Sequence, residues 1–395
     1  MAMAQKYLII NLGSSSKKYA LVIGQAIDCM IRIEQTAVGQ WQAFLDRDQQ
    51  TQSLNFELQS IDRATEWVVA QFILTKDLTH AADLSGIGLR VVAPGSYFQV
   101  HRIIDEEYLM RLRTARLDAP LHITPVIQEL SLLERALPNI PIVGVSDSAF
   151  HATLPAVVRT YAINQHDAEI YDIYRFGYHG VSIQSVVYKA RELFQELPKR
   201  LIVCHLGSGA SVTALKNGQS AETSMGFTPL EGLIMKSRVG DLDPGALLYL
   251  AKHKGLNHDE LETYLNTQCG LLGLSGQTGD MRELLKLESE GSTQAQFAVS
   301  AFVHRIKKYI GAYIAILGGL DGLIFTGAIG ERSPEIRERI CEDLDFLGVN
   351  LDSELNQSFI EKTGLISSGQ SYPIAVVSTN ELSEMARVTQ HELSL

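Results

Sequence analysis

Six residues of this 395-residue chain combine a reactive side chain with surroundings that suit chemistry on anions. They are Arg90 in RVVAPG, Arg238 in SRVGDLDPG, Asp147 in VSDSAF, His179 in YRFGYHGVS, Glu381 in STNEL and Asn11 in IINLGSSS. A guanidinium is a planar, permanently charged fork that matches carboxylate and phosphoryl oxygens. Asp147 and Glu381 are hard oxygen groups able to hold Mg²⁺ directly or through water. His179 can donate to an oxygen of a group in transfer. Each has a plainer reading: salt-bridged arginines, a satisfied core histidine, Asp147 as a helix N-cap, Glu381 complementing a helix dipole, Asn11 ending its strand.

The elements that must position these residues begin with YLIINLGSSSKKYALVI (7–23), a strand, a Gly/Ser turn and a second strand. A like pattern returns at IVCHLGSGASVTAL (202–215), where His205-Leu-Gly-Ser answers Asn11-Leu-Gly-Ser. The second copy runs on into KNGQS, whose Asn-Gly is a hairpin signal. Two halves opening on hairpins with small-residue tips read as duplicated domains facing one cleft, since such tips let backbone N–H groups approach an anion. Chance likeness of two turns is the competing reading. Further on, Phe297, Phe302, Ile306, Tyr309, Ile310, Tyr313 and Leu317 recur at helical spacing, forming a stripe for a core or a subunit contact. From Tyr309 the pattern is a buried helix, a glycine turn and a buried strand, too interrupted for a membrane span.

The length suggests two domains, and 46% hydrophobic with 20% charged residues is a globular composition. A net charge of −11 without a basic run disfavours nucleic acid or an anionic membrane as the main partner. Cys29, Cys204, Cys269 and Cys341 are scattered, which argues against zinc and disulfides and fits a cytoplasmic protein. The first apolar stretch is too short for a signal peptide.

Taken in order, the motifs resemble those of the acetate kinases, in the superfamily that also holds sugar kinases, actin and the heat-shock chaperone ATPases. The resemblance runs nearly end to end: NLGSSSKKYAL, RVVAPG, LDAPLHITP, VSDSAFHATLP, YRFGYHGVS, HLGSGASV, TSMGFTPLEGL, SRVGDLDPG, GLLGLSGQTGDMR, FTGAIGERSPEIRERICEDLDFLGVNLD and STNEL. It implies an α/β fold of two duplicated actin-like (ribonuclease H-like) domains flanking an active-site cleft. The first would span 1–149, joined by the C-terminal helix 381–395, and the second 150–380 with a homodimer contact. It further implies an ATP-dependent kinase that makes acetyl phosphate and ADP from acetate, with Mg²⁺ (or Mn²⁺) as cofactor.

In that family the residue matching Arg90 binds the acid, with Val92, Leu121, Tyr178 and Pro229 around its methyl group. Those matching His179 and Arg238 stabilise the transition state, Asp147 matches an essential carboxylate, and Asn11 and Glu381 match magnesium-site residues. The nucleotide side would be Lys18, His205, Leu206, Gly207, Ser208, Gly209, Asp280, Met281, Arg282, Ala328, Ile329, Gly330, Glu331 and Arg332. Such a reaction needs no general base, because a carboxylate nucleophile is already ionised at neutral pH; it needs charge neutralisation and alignment. Removing Arg90 or Arg238 is accordingly expected to cost rate and to leave stability unchanged.

The departures leave alternatives. Tyr178 stands where the family has phenylalanine, so another short acid such as propionate competes with acetate. Lys236, Ser208 and Ala328 alter the nucleotide side, which keeps pyrophosphate open as donor, against a Lys236 that faces solvent while ATP binds normally. A non-catalytic actin-like nucleotide-binding protein is the reading from another class, and a scaffold has no use for the full set of charged groups.

Overall fold

The computed structural model describes residues 5–13, 16–37, 40–56, 61–117 and 119–395. It divides into two compact units, Met1–Ala149 with Asn380–Leu395, and Phe150–Thr379. The first carries strands β1 (Lys6–Leu12), β2 (Ser16–Ile23), β3 (Ala26–Ala37), β4 (Gln40–Arg47), β5 (Gln50–Leu54), β6 (Leu84–Val91), β7 (Arg102–Ile103) and β8 (Ile142–Ser146). The second carries β9 (Arg200–Leu206), β10 (Ala210–Lys216), β11 (Gln219–Thr223), β12 (Gly322–Thr326), β13 (Gly364–Leu365) and β14 (Ile374–Val376).

The two sheets share one wiring. In the first the order is β5-β4-β3-β2-β1-β6-β8-β7, and in the second β11-β10-β9-β12-β14-β13. An antiparallel meander (β1–β2–β3, or β9–β10–β11) is followed by two strands parallel to its first member, then an antiparallel edge. The repeat read from the hairpins is therefore a repeat of topology, and the α/β fold of two like-built units holds. The Asn217-Gly218 turn between β10 and β11 has both residues at positive φ, as a tight hairpin of primed type requires.

Strand alternation decides what each face does. In the first unit Leu8, Ile10, Tyr19, Leu21, Ile31, Ile87, Leu89 and Val91 build a core with Val68 and Phe72 of helix Ala64–Leu74 and with Ile123, Val126, Leu130 and Leu133 of helix Pro120–Ala136. The other face of β6 presents Gly86 and Gly88. A Cβ on Gly88 would fall 2.1 Å from Thr389 Oγ1, and one on Gly86 2.2 Å from Leu393 Cδ1. The bare backbone thus lets helix Glu381–Ser394 lie flat on the sheet.

In the second unit helix Gly180–Phe194 packs Ile183, Val186, Val187 and Ala190 on Leu201, Val203, Leu215, Ile324, Ala375 and Val377. Helix Thr293–Leu317 turns Phe302, Ile306, Ile310, Tyr313 and Leu317 inward and leaves Phe297 exposed, so most of its stripe is core. It ends at Gly318 and Gly319, both at positive φ, and the chain re-enters as β12, the helix–turn–strand expected from the pattern. Among the described residues no helix is long and apolar enough to cross a membrane.

Candidate functional site

Asn11, Arg90 and Asp147 stand at the same ends of β1, β6 and β8 for one reason of register. Ile9 pairs with Gly88 and Arg90 with Val145. Stepping two residues along each strand keeps the face, so the residues beyond the glycine floor are Asn11 and Arg90, with Asp147 just past β8. Helix Glu381–Ser394 covers that face, and its first residue, capped by Asn380, brings Glu381 to the same spot.

Four side chains form a continuous chain there. Asn11 Nδ2 donates to Glu381 Oε2 at 2.7 Å, and Arg90 Nη1 donates to Asn11 Oδ1 at 3.3 Å. Arg90 Nε and Nη2 donate to the two oxygens of Asp147 at 3.0 and 2.9 Å. Asp147 is 1% exposed. Burial alone would lower the proton affinity of Arg90, but Asp147 and Glu381 outweigh it and hold the guanidinium charged. The Glu381 carboxylate and the Asn11 amide are hard oxygen groups that suit a divalent ion, and the Arg90 guanidinium suits an anion. Another acidic trio, Asp28, Cys29 and Asp77, is a poor cation site: Arg47 ion-pairs with Asp77, and burial pushes the Cys29 thiol up to about 12.

The two lysines after the serine turn part company. Lys18 pairs with Asn11 across the hairpin and shares its face, whereas Lys17 turns to the core side and bonds the fully buried Glu129 at 2.9 Å. The tip closes with Gly13 N–H donating to the Ser16 carbonyl at 2.8 Å. Ser14 and Ser15, which carry the phosphate-facing reading of this turn, lie outside the described residues, as does Asp118 of the LDAPLHITP motif. Of the expected acid-pocket residues in this unit, Val92 is half-buried and Leu121 is exposed.

The second unit gathers another group. His179 is a non-glycine residue in the left-handed region (φ 60°) at the N-cap of helix Gly180–Phe194, a conformation that surrounding structure must enforce. Ser211 Oγ lies 3.0 Å from its Nδ1, and its ring lies 4.2 Å from that of His205. His205 Nδ1 in turn meets Ser182 Oγ at 2.8 Å, and Ser182 donates to Thr379 Oγ1 at 2.9 Å. Arg238 Nη1 donates to the Pro229 carbonyl at 3.3 Å. A Cβ on Gly209 would sit 3.1 Å from His179 Nε2 and 3.6 Å from Arg238 Nη1, so these three residues border one small space. Gly207 and Ala328 adjoin it: a Cβ on Gly207 would lie 3.9 Å from the Ala328 nitrogen.

The remaining expected nucleotide residues are dispersed in role. Leu206 is buried at the end of β9. The Ser208 carbonyl accepts from Lys236 N–H at 3.1 Å, and the Lys236 side chain is exposed. Gly330 is buried and Ile329 half-buried in the short helix Gly327–Arg332. Glu331 braces backbone, accepting from Gly327 N at 3.0 Å and Thr379 N at 3.2 Å. Arg332 pairs with Glu361 at 2.6 Å. Asp280 caps helix Met281–Ser289 and binds Arg282, which together with its N–H holds the carboxylate below its usual range; Met281 is buried. Tyr178 is also buried, and its hydroxyl donates to the Phe227 carbonyl at 2.5 Å, so the added oxygen is already bound within the protein.

Sequence reasoning missed Ser211, Ser182 and Thr379, which orient the two histidines. Ser211 lay in the quoted HLGSGASV motif, but nothing in the sequence shows which of its small residues turns toward His179.

Comparison with known proteins adds an independent line. The sequence model of the Acetokinase family matches residues 6–387. The chain is 37% identical to an acetate kinase of Coprothermobacter proteolyticus over 97% of its own length and 98% of the relative's. It is 36% identical to an acetate kinase of Heliobacterium modesticaldum, with 97% and 98% coverage. Among solved structures it is similar to a Porphyromonas gingivalis acetate kinase, at TM-score 0.87 and 33% identity over 99% of this chain and 100% of that one. It is equally similar to a propionate kinase of Francisella tularensis, at TM-score 0.89 and 33% identity over 98% and 99%.

Proposed function

We propose that this chain, which belongs to the acetokinase family, catalyses the reversible transfer of the γ-phosphoryl group of ATP to acetate, giving acetyl phosphate and ADP. The observation that carries the reading is the Glu381–Asn11–Arg90–Asp147 chain, a built polar site at the strand ends on the sheet face opposite the hydrophobic core.

In this reading a carboxylate oxygen of the acid bonds to the γ-phosphorus while the bond from that phosphorus to the β–γ bridging oxygen breaks, its electron pair leaving with ADP. No proton moves. Arg90 binds the acid, its guanidinium held charged and oriented by both oxygens of Asp147. His179 and Arg238 donate to the transferring group, with Ser211 and the Pro229 carbonyl fixing their directions. Donors fixed in advance toward developing charge supply most of the acceleration in such reactions. Asn11 and Glu381 would hold Mg²⁺, which when bound neutralises phosphate charge, while Asp147 holds Arg90. Lys18 and the residues His205–Gly209, Asp280–Arg282 and Ala328–Arg332 would serve the nucleotide. The protein would act in the cytoplasm as a homodimer.

A second acid is supported by the propionate kinase among its structural relatives and by the Tyr178 hydroxyl, whose bond to Phe227 keeps it from demanding a polar partner in the acid. The exposed Lys236 side chain supports ATP over pyrophosphate as donor. Hydroxamate formation with acetate, propionate and butyrate, each crossed with ATP, GTP and pyrophosphate, tests all of this. The expected result is greatest kcat/KM for acetate with ATP. Turnover with pyrophosphate and none with ATP would overturn the donor, and a preference for propionate would overturn the acid.

A further inference from the structure

Arg238 rides on a loop, residues 232–241, whose two feet are tied together. Asp241 N donates to the Gly232 carbonyl and Gly232 N donates to Asp241 Oδ1, both at 3.0 Å. Gly232 and Gly240 are at positive φ, and a Cβ on Gly240 would lie 2.4 Å from the Leu233 carbonyl oxygen, so the closure tolerates only glycine there. The Asp241 carboxylate is then gripped from helix Thr293–Leu317. Tyr309 donates its hydroxyl to both carboxylate oxygens at 3.0 Å, and Arg305 Nη1 lies 3.2 Å from Oδ2 and donates to the Gly232 carbonyl at 3.1 Å.

The upper part of the loop is held by buried Leu233 and Met235, by the bond from Arg238 to the Pro229 carbonyl, and by backbone and hydroxyl contacts. Met235 N donates to the Arg238 carbonyl at 3.2 Å, Cys269 N to Ser237, Val239 N to Leu265, and Ser237 Oγ to Asn266. The ion pair of Asp241 with Arg305 ties the feet of the loop to a long, core-packed helix. Charge-assisted bonds are about twice as strong as neutral ones, so the clasp adds a strong, directed anchor at the base of the segment that carries Arg238.

We propose that Asp241, Arg305 and Tyr309 form a positioning clasp for Arg238, setting the placement of its guanidinium without touching substrate. The proposal rests on the role given to Arg238 above. Asp241→Asn keeps the shape and removes the charge, and Tyr309→Phe removes one hydroxyl from a ring that stays packed. A displaced guanidinium lowers kcat while the acid KM, set elsewhere, is unchanged.

The test is kcat and acid KM per folded molecule for Asp241→Asn, Tyr309→Phe, Arg238→Ala and the Arg238→Ala/Asp241→Asn double variant, with unfolding midpoints measured alongside. Asp241→Asn is expected to lower kcat about 10- to 100-fold, and Tyr309→Phe about threefold to tenfold, with acid KM within a factor of about two. Tyr309→Phe leaves the Asp241–Arg305 pair in place, so it keeps the test decisive if Asp241→Asn does not fold. In the Arg238→Ala background Asp241→Asn should cost no further rate, because the residue it positions is gone. Wild-type kcat in folded Tyr309→Phe and Asp241→Asn, or rate losses that multiply in the double variant, would overturn the clasp. Wild-type kcat in Arg238→Ala would instead overturn the role of Arg238 itself.

Discussion

Arg90 and Asp147 meet as a two-bond pair, Nε to Oδ1 at 3.0 Å and Nη2 to Oδ2 at 2.9 Å, with the carboxylate out of contact with water. The guanidinium proposed to bind the acid is therefore also the counter-ion of a buried charge. In that reading catalysis and folding draw on the same side chain.

This changes what Arg90→Ala should do. From the sequence, rate alone is expected to fall; the pairing adds a stability cost. Removing one member of a buried ion pair strands the other, typically at about 3–5 kcal/mol. Arg90→Ala should lower the denaturation midpoint, and adding Asp147→Asn should recover part of the loss by removing the stranded charge. Unfolding curves of equal midpoint for wild type and Arg90→Ala would contradict the coupling.

In the proposed site Glu381 separates metal from acid. Its carboxylate holds Asn11 rather than Arg90, at 2.7 Å. Glu381→Gln keeps an oxygen for that bond and deletes the charge, so the Mg²⁺ concentration for half-maximal rate should rise about tenfold. The acid KM should stay near wild type. An unchanged Mg²⁺ titration with a raised acid KM would reverse the assignment.

The candidate site was readable from residue types beside apolar runs only together with the ordered motif resemblance, because each residue alone fits a plainer structural role equally well. Legibility stopped where a side chain's direction depends on register. Lys17 and Lys18 read alike in sequence, and only the pairing of Asn11 with Lys18 sends one to the polar face and the other to Glu129. Long-range braces were hidden for a different reason. Asp241 and Arg305 are 64 residues apart, and no local pattern marks a contact between a loop foot and the side of a helix. Domain closure by helix 381–394 was readable only through resemblance, although the Gly86–Gly88 floor that admits it is a sequence feature with a physical meaning.

His101 links acidity to stability beside Asp147. Its Nδ1 accepts from Ser146 N–H at 3.1 Å, with Arg387 and His391 facing it from helix Glu381–Ser394. Burial first, then the Arg387 guanidinium and the His391 ring, lower its pKa from 6.5 to about 4. The unfolded chain therefore takes up a proton near pH 6.5 that the folded chain refuses until about pH 4. Stability from this group is whole above pH 6.5 and is lost as pH falls toward 4, by at most about 3 kcal/mol. His101→Gln should flatten that part of the stability profile. If wild type and variant lose stability in parallel over this range, the imidazole is not responsible.

Gly209 offers the sharpest probe of the second unit. Its backbone is outside the left-handed region, so alanine can adopt the same conformation without strain. The added methyl would stand 3.1 Å from His179 Nε2, 3.4 Å from Cε1 and 3.6 Å from Arg238 Nη1. None of these is a clash with backbone, and a small rotation of the imidazole relieves the closest. The fold should accept Gly209→Ala with an unchanged unfolding midpoint. The space bordered by the imidazole and the guanidinium is nevertheless filled, and both donors are pushed off line. With geometry this tight, kcat should fall about 10- to 100-fold. His179→Ala should lower kcat as well, and combining it with Gly209→Ala should cost less than the product of the two losses, since the methyl then has less to displace. Wild-type kcat in Gly209→Ala would mean that no group in transfer passes between His179 and Arg238.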